Sequence, residues 1–522
     1  KIHVFHGSVC YTLRQVNKSA ITLSGTTHGA AERHVMAIQP VQTPKFTLNK
    51  FNGTSSNFTK SSQPPDSNGA VGPAHYVEFL NGVFTVYDKS SHSKLAQITD
   101  QEFWRQAGIA NPGLLVDPRV LYVPKAGKYG HGQWLVVQLE FGHKVYLACT
   151  DPKHAYPSPL PGNWKASQFD MRGCDFPQVG YDGRGIYLTV ESATSAEGKD
   201  IAAAPSEKDT APKNAGAEAE GTAGAGRWSQ FVYMPQVSAL AFPPQLGPES
   251  GIKVFEPLDP AKYGTGIYPV ADATGSEWKT ANFICANNET LKDLTYVKML
   301  PEQRAIVSHT NIPVKPWEFM PFTYVKQPDP AGLQKVAFYS SNIDAAPVSD
   351  GFNVWITHSI MRFGSLAIRW YRLAIDPVTR DLSLANWGEL ADPRGHYDYF
   401  NASIASFGKD DYTVICFSRS GDSTTSSDPN DPNCGNLGAY AAIIREDGSA
   451  PTIVPIQSGL SNNFQPLQGQ RYNRWGDFST IWRDTTNPEA RSMWLINQYV
   501  AQGGSSSEWC EVIANLQIDP PV

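Results

Sequence analysis

The chain has 522 residues, 41% of them hydrophobic and 18% charged, with 43 Lys and Arg set against 49 Asp and Glu. A net charge of -6, with no lysine run or basic patch, excludes nucleic acid as an expected partner. No stretch approaches the roughly 18 consecutive apolar residues that a spanning helix needs, so no membrane span is expected.

Residues 1–60 are rich in Ser, Thr and Asn without strong periodicity, and read as an N-terminal arm. The opening, KIHVFHGSVC, lacks the long apolar core of a signal peptide, which fits a mature secreted chain. Five N-x-S/T sequons, at Asn17, Asn52, Asn57, Asn288 and Asn401, point to a glycoprotein. The body, 61–522, begins at PPDSNGAVGPAHYVEFLNGVFTVYDK, where turn chemistry gives way to two strand-like runs. A short helix is expected near QITDQEFWRQAG.

The next segments carry an internal repeat. DPRVLYVPKAGKYGHGQWLVVQL from Asp117, DFPQVGYDGRGIYLTVES from Asp175, YFNASIASFGKDDYTVICFS from Tyr399 and GDFSTIWRDTTNPEARSMWLINQY from Gly476 overlay on one another. Each is a short strand, a polar turn and a second strand rich in aromatic and β-branched residues. Pro118, Pro177, Ala402 and Ser479 coincide, as do Val120, Val179, Ile404 and Ile481, and Asp182 falls on Asp484. Between the second and third copies lies 195–226, with no aromatic residue and one branched aliphatic, Ile201. Such text cannot bury enough apolar surface to offset its ordering entropy, so a disordered, low-complexity insertion is expected within one hairpin.

Antiparallel repeats at long spacing define a β-propeller, whose blades must stack to bury both faces. With further blades around 64–110, 251–300 and 335–385, the expectation is all-β: a single seven-bladed β-propeller of four-stranded antiparallel blades. Tandem β-sandwiches are the competing fold. Seven widely spaced cysteines without a C-x-x-C pair argue against a zinc cluster. Disulfides with one thiol left over, or buried free thiols, account for them.

In order, PPDSNGAVG, DPRVLY, IRWYRL (368–373), NASIASFGKDDYTVICFS and RWGDFS resemble a family of secreted, mostly bacterial seven-bladed β-propellers with PPD-x-NG-x-VG, DPR-x-x-Y, RWYE and RWGDYS motifs, loosely grouped with sialidase-like and BNR-repeat proteins. The resemblance covers most of 64–515. It departs from the family pattern at Val123, at Phe478 and at Cys416-Phe417-Ser418. It implies the fold and a secreted, extracellular setting.

Function turns on charged residues in these motifs. Arg474 and Asp477 are expected at the innermost strand of the last blade, where they suit either an ion pair that locks the blade or a pocket for a carboxylate. Asp117 and Arg119 occupy a related place in the repeat, and Arg369 lies in a strand next to Trp370. If Arg119, Arg369 and Arg474 converge on the axis, they suit an acidic sugar, because guanidinium is the best fork for a planar carboxylate. Tyr181 and Asp182 share a repeat turn, where an aspartate is usually a cap. His309 and His358 lie in strand runs. His396, beside Asp398 and Tyr399, offers a base and acid for lyase chemistry, although a strand histidine is more often structural. Catalytic candidates are therefore His358, His396 and Tyr399. No cofactor is required. If one binds, calcium is the ion whose oxygen donors occur, at Asp66 and Asn68 or at Asp428 and Asp431. Asp boxes, P-loops and G-x-S-x-G elbows are absent from the sequence. Two functions stand: an extracellular, carbohydrate-binding or protein-binding module, or a polysaccharide-active hydrolase or lyase with an arginine-lined pocket.

Overall fold

The computed structural model describes residues 2–6, 9–13, 43–58, 64–126, 130–154, 156–171, 173–193, 227–272, 274, 280–318, 322–328, 336–339, 343–422, 434–447, 449–461, 473–501 and 508–521. The chain divides into two units, 1–42 and 43–522. In the first, Ile2–His6 and Val9–Leu13 pair as an antiparallel hairpin.

The second unit is a seven-bladed β-propeller. Its blades begin at Gly69–Val71, Leu115–Val123, Cys174–Tyr181, Tyr268–Pro269, Val348–Ser349, Tyr397–Ser406 and Thr480–Arg483. Each first strand is innermost, and three antiparallel strands follow it outward. The innermost strands of blades 1 to 4 touch in turn, as do those of blades 6, 7 and 1, whereas in blade 5 Val348–Ser349 pairs in parallel with Ala271–Asp272, the segment that follows the first strand of blade 4. Aliphatic and aromatic residues alternate along the strands and fill clusters between adjacent blades, such as Leu135, Leu147, Leu188 and Met234 between blades 2 and 3. The helix Asp100–Ala107 lies where the sequence placed it. Thr99 caps it by accepting from Glu102 N, and Gly108 ends it with a left-handed φ of 116°.

The repeat overlay carries into backbone geometry. Asp117, Phe176 and Asn401, one residue before the aligned Pro118, Pro177 and Ala402, have φ of 51°, 48° and 51°. Each sits at a β-bulge of an innermost strand. At the aligned turns, Asp182 accepts from Arg184 N at 2.7 Å and Gly185 N at 2.9 Å, while Asp484 accepts from Thr486 N at 3.1 Å. Both are caps.

Two expectations change. Phe46–Ser55, read as arm, is the outermost strand of blade 7 and pairs from Phe46↔Ile518 to Ser55↔Cys510. This strand, from ahead of blade 1, thereby completes the last blade and closes the ring. Arg474 is not on an innermost strand. Asn473–Arg474 pairs in parallel with Val336–Ala337, in a three-stranded sheet outside the blades. Of the two readings left open for the cysteines, the free-thiol one holds for Cys149, Cys174, Cys285, Cys416, Cys434 and Cys510, all buried. The insertion 195–226 lies outside the described residues. The strands flanking it pair up to Ala193↔Arg227, so it does interrupt one hairpin.

Candidate functional site in the central channel

The innermost strands of blades 1, 2 and 7 start at an ionic cluster. Asp66 precedes blade 1, Asp117 sits on the bulge of blade 2, and Asp477 leads into blade 7. Arg474 Nη2 donates to Asp477 Oδ2 at 2.6 Å. Asp477 N donates to Asp66 Oδ1 at 2.8 Å. Asn81 bridges the set: its Nδ2 donates to Asp66 Oδ2 at 2.9 Å and its Oδ1 accepts from Asp117 N at 2.8 Å. A hydrogen bond joins the carboxyls of Asp66 and Asp117. Burial, then the Asp66 charge, pushes Asp117 up to about 7. Burial, then the charge of Asp477, pushes Asp66 to about 6. Asp477 also rises to about 6 through burial, against the pull of Arg474.

Two residues further along the same strand, Arg119 enters the channel. Its guanidinium lies 3.9 Å over the ring of Phe478, which meets Phe176 edge-on at 5.6 Å. A chamber of about 50 Å³ opens here, lined by Arg119, Gln178, Asn68, Ser403 and Thr480. Asn68 Oδ1 accepts from Val120 N at 2.8 Å and its Nδ2 donates to Thr480 Oγ1 at 3.3 Å, tying three blades together.

Roughly 20 Å from the cluster, where six strand residues end, a wider cavity of about 250 Å³ opens. Trp355, Trp482, Asp350, Arg483, Lys125 and Ser406 line it. Trp482 also lines the chamber, and its Nε1 donates to Gly69 O at 3.1 Å. Asp350 is committed: it accepts from Asn353 N at 2.6 Å, Phe352 N at 2.9 Å and Trp355 Nε1 at 3.3 Å. Burial, then nearby Arg491, lowers the pKa of Arg483.

The predicted residues separate into those this site gathers and those it does not. Arg119, Arg474, Asp117, Asp477, Asp66 and Asn68 gather at the channel. Arg369 does not. It lies on a middle strand of blade 5, where its Nη2 pairs with Glu389 Oε1 at 2.7 Å and its Nη1 donates to Lys315 O at 2.5 Å. Convergence of three arginines is therefore corrected to two. His358 Nε2 meets Tyr371 Oη at 3.1 Å beside Trp317, and burial lowers it to about 3. It is a structural histidine. The ring of His396 meets Asp422 at 3.1 Å on the surface, whereas Tyr399 packs in the core against Phe417. They form no acid–base pair. His309 is exposed and meets Tyr263 edge-on.

The Asp66 and Asn68 oxygens, offered to calcium on sequence, accept hydrogen bonds from protein N–H groups. Among the described residues no group of three or more His, Cys, Asp or Glu is arranged to hold a metal. Asp428, Asp431 and Asn17 lie outside the described residues. Asn52 and Asn57 are exposed and Asn288 half-buried. Asn401 is 5% exposed and its amide donates to Gly476 O, so its side chain is unavailable to a glycan. Sequence reasoning missed Gln178, Phe478, Trp482, Trp355, Asp350 and Arg483. Only Gln178, Phe478 and the Trp482–Arg483 pair fell inside repeat segments.

No family model matches the sequence, and no curated protein matches it. Solved structures do resemble it at low identity. The WD40 domain of SCAP from fission yeast is 8% identical over 85% of this chain and 82% of that one, with a TM-score of 0.34. Drosophila Plexin A, solved with Semaphorin 1b, is 8% identical over 90% and 88%, with a TM-score of 0.37. An α-L-arabinofuranosidase from Fusarium graminearum, solved with an iminosugar inhibitor, is 11% identical over 90% and 98%, with a TM-score of 0.36. Likeness this loose carries no argument about function.

Proposed function

We propose that the protein is an extracellular, non-catalytic binding module that holds a short glycan segment in the cavity at the end of its channel. The observation that carries this reading is the lining. Two tryptophans, Trp355 and Trp482, share the lining with the cations of Lys125 and Arg483, while the lining carboxylate, Asp350, is already occupied by protein N–H groups. Aromatic faces with a few convergent polar groups are how small-molecule sites hold and orient a ligand. At about 250 Å³ the cavity falls just below the usual range of roughly 300–1,000 Å³. That size admits one or two sugar units rather than a protein segment. Hydrolysis or elimination would need a free acid–base pair beside the ligand. The channel acids with raised pKa, Asp66, Asp117 and Asp477, lie at the opposite end and are bound to Asn81, Arg474 and one another.

The test is a tryptophan-fluorescence titration with a panel of neutral and acidic oligosaccharides, with mass spectrometry on the same mixtures. The expected result is a saturable change with at least one sugar, weakened about tenfold by Trp482→Phe, and no shortened product. Released oligosaccharides would replace this reading with the enzymatic one. A flat titration across the panel would remove it.

A further inference from the structure

Arg119 is a buried cation without a counter-ion in contact. The residue is 5% exposed. Its Nη1 donates to Pro118 O at 2.9 Å, and its plane rests on Phe478. Its other terminal nitrogen, Nη2, is buried with no hydrogen-bond partner. Among the described residues no carboxylate forms an ion pair with it. Asp117, Asp66 and Asp477 act on it only from beyond contact. A buried charge left in this way is costly, and natural sites usually pair it.

Gln178, on the neighbouring blade, repeats the pattern. It is 3% exposed, and its Nε2 is buried with no partner. Both residues line the chamber on the axis. The hydroxyls there are already matched: Ser403 Oγ and Ser479 Oγ bond to each other at 3.0 Å, and Thr480 Oγ1 donates to Ser67 O at 3.2 Å. Two residues of the chamber lining thus each carry a donor without a partner, one of them charged. Its volume of about 50 Å³ is several times the roughly 10–15 Å³ that one water requires, enough for three heavy atoms.

We infer that this axial chamber is a subsite for a single carboxylate group, with Arg119 supplying the charge and one hydrogen bond and Gln178 supplying the second. Guanidinium and amide N–H groups suit the two oxygens of a planar carboxylate. Because Trp482 and Val348 line both the chamber and the wider cavity, one ligand can reach both. Resting on the binding reading, the inference names the ligand class as a uronate-type acidic sugar. A free carboxylate suffices to occupy the subsite itself.

The test uses the full chain. Sodium acetate, sodium chloride, glucuronate and glucose are titrated at matched ionic strength, read by thermal shift and calorimetry. Acetate is expected to stabilise saturably and chloride not to. Glucuronate should bind at least tenfold more tightly than glucose. Gln178→Leu, which keeps the side-chain volume, should weaken acetate and glucuronate about tenfold, and Arg119→Met should abolish both. Should Arg119→Met fail to fold, the Gln178→Leu comparison decides alone. Equal stabilisation by acetate and chloride, or acetate binding unchanged in Gln178→Leu, overturns the inference. A neutral oligosaccharide that still quenches tryptophan in that case leaves the binding reading standing. Acetate binding without any oligosaccharide response does the reverse.

Discussion

Asp117 holds a proton because of where the bulge of blade 2 puts it. Its carboxyl is buried against that of Asp66, and two adjacent carboxylates cannot both ionise at low cost. Asp477 and Arg474 complete the cluster as an ion pair, which is the structural answer to why charges sit beside Trp475 and Trp482. The pH consequence has a definite sign. Asp117 titrates near 7 in the fold but near 3.9 when unfolded, so the folded chain keeps a proton that the unfolded chain releases. That stabilisation is complete below about pH 4 and is lost as pH rises through about 7. Asp66 and Asp477, near 6, add to it, and Asp182, raised to about 7 by burial, does the same elsewhere. His358, lowered to about 3, acts in the other direction but only below its ordinary value. Urea unfolding should therefore show lower stability at pH 8 than at pH 5.5. About half of the span between 3.9 and 7 lies above pH 5.5, so Asp117→Asn, neutral at both values, should gain on the parent by about 2 kcal/mol between pH 5.5 and pH 8. Parallel pH profiles for variant and parent would refute this account.

At the level of the strand, closure of the ring rests on Phe46–Ser55. It covers the edge of Trp509–Ile518 and reaches across to blade 1, where Thr54 N and Oγ1 donate to Glu78 at 2.9 and 2.7 Å. Removing it exposes a long edge and leaves the buried Glu78 with fewer donors. A chain beginning at 57 should melt at least 10 °C lower than one beginning at 43, or fail to remain soluble, and equal melting of the two by circular dichroism would contradict the closure. This strand was illegible because one face lies on solvent and its text, FTLNKFNGTS, does not alternate. The four repeat segments were legible because their bulges and capping aspartates recur at fixed positions. Arg474 was misplaced because it pairs with Val336–Ala337, a partner far off in sequence that no local pattern reveals. The Arg369 assignment failed for a different reason. A middle strand and an innermost strand read alike until Glu389 is seen opposite it in the register. Gln178 lay in plain view in DFPQVG, but a neutral amide gives no signal until its burial is known.

Across the whole molecule, the seam between the first and last blades is unusually polar. Asp66 meets Asp477 N, Ser67 Oγ meets Glu511 at 2.9 Å, and Lys89 meets Asp484 at 2.6 Å. These directional contacts set the register of the final blade, while apolar clusters between blades supply most of the burial. The thiols belong to that apolar part. Cys149, Cys174, Cys285, Cys416 and Cys434 are at most 1% exposed and Cys510 is 6% exposed. Burial pushes Cys174, Cys285, Cys416 and Cys510 up to about 12. Both steric access and thiolate formation are therefore suppressed at neutral pH. A thiol must reach solvent before it reacts, and in a closed ring none of these six does so without the blades separating. In a Cys10→Ser variant, a chromogenic disulfide reagent should find no reactive thiol in native protein at pH 8. It should find six in guanidinium, with the reaction rising along the unfolding curve. Reductant should leave the melting temperature unchanged. Fast reaction of even one thiol in the native state would mean that blades open locally, and that the ring is a weaker closure than its seam suggests.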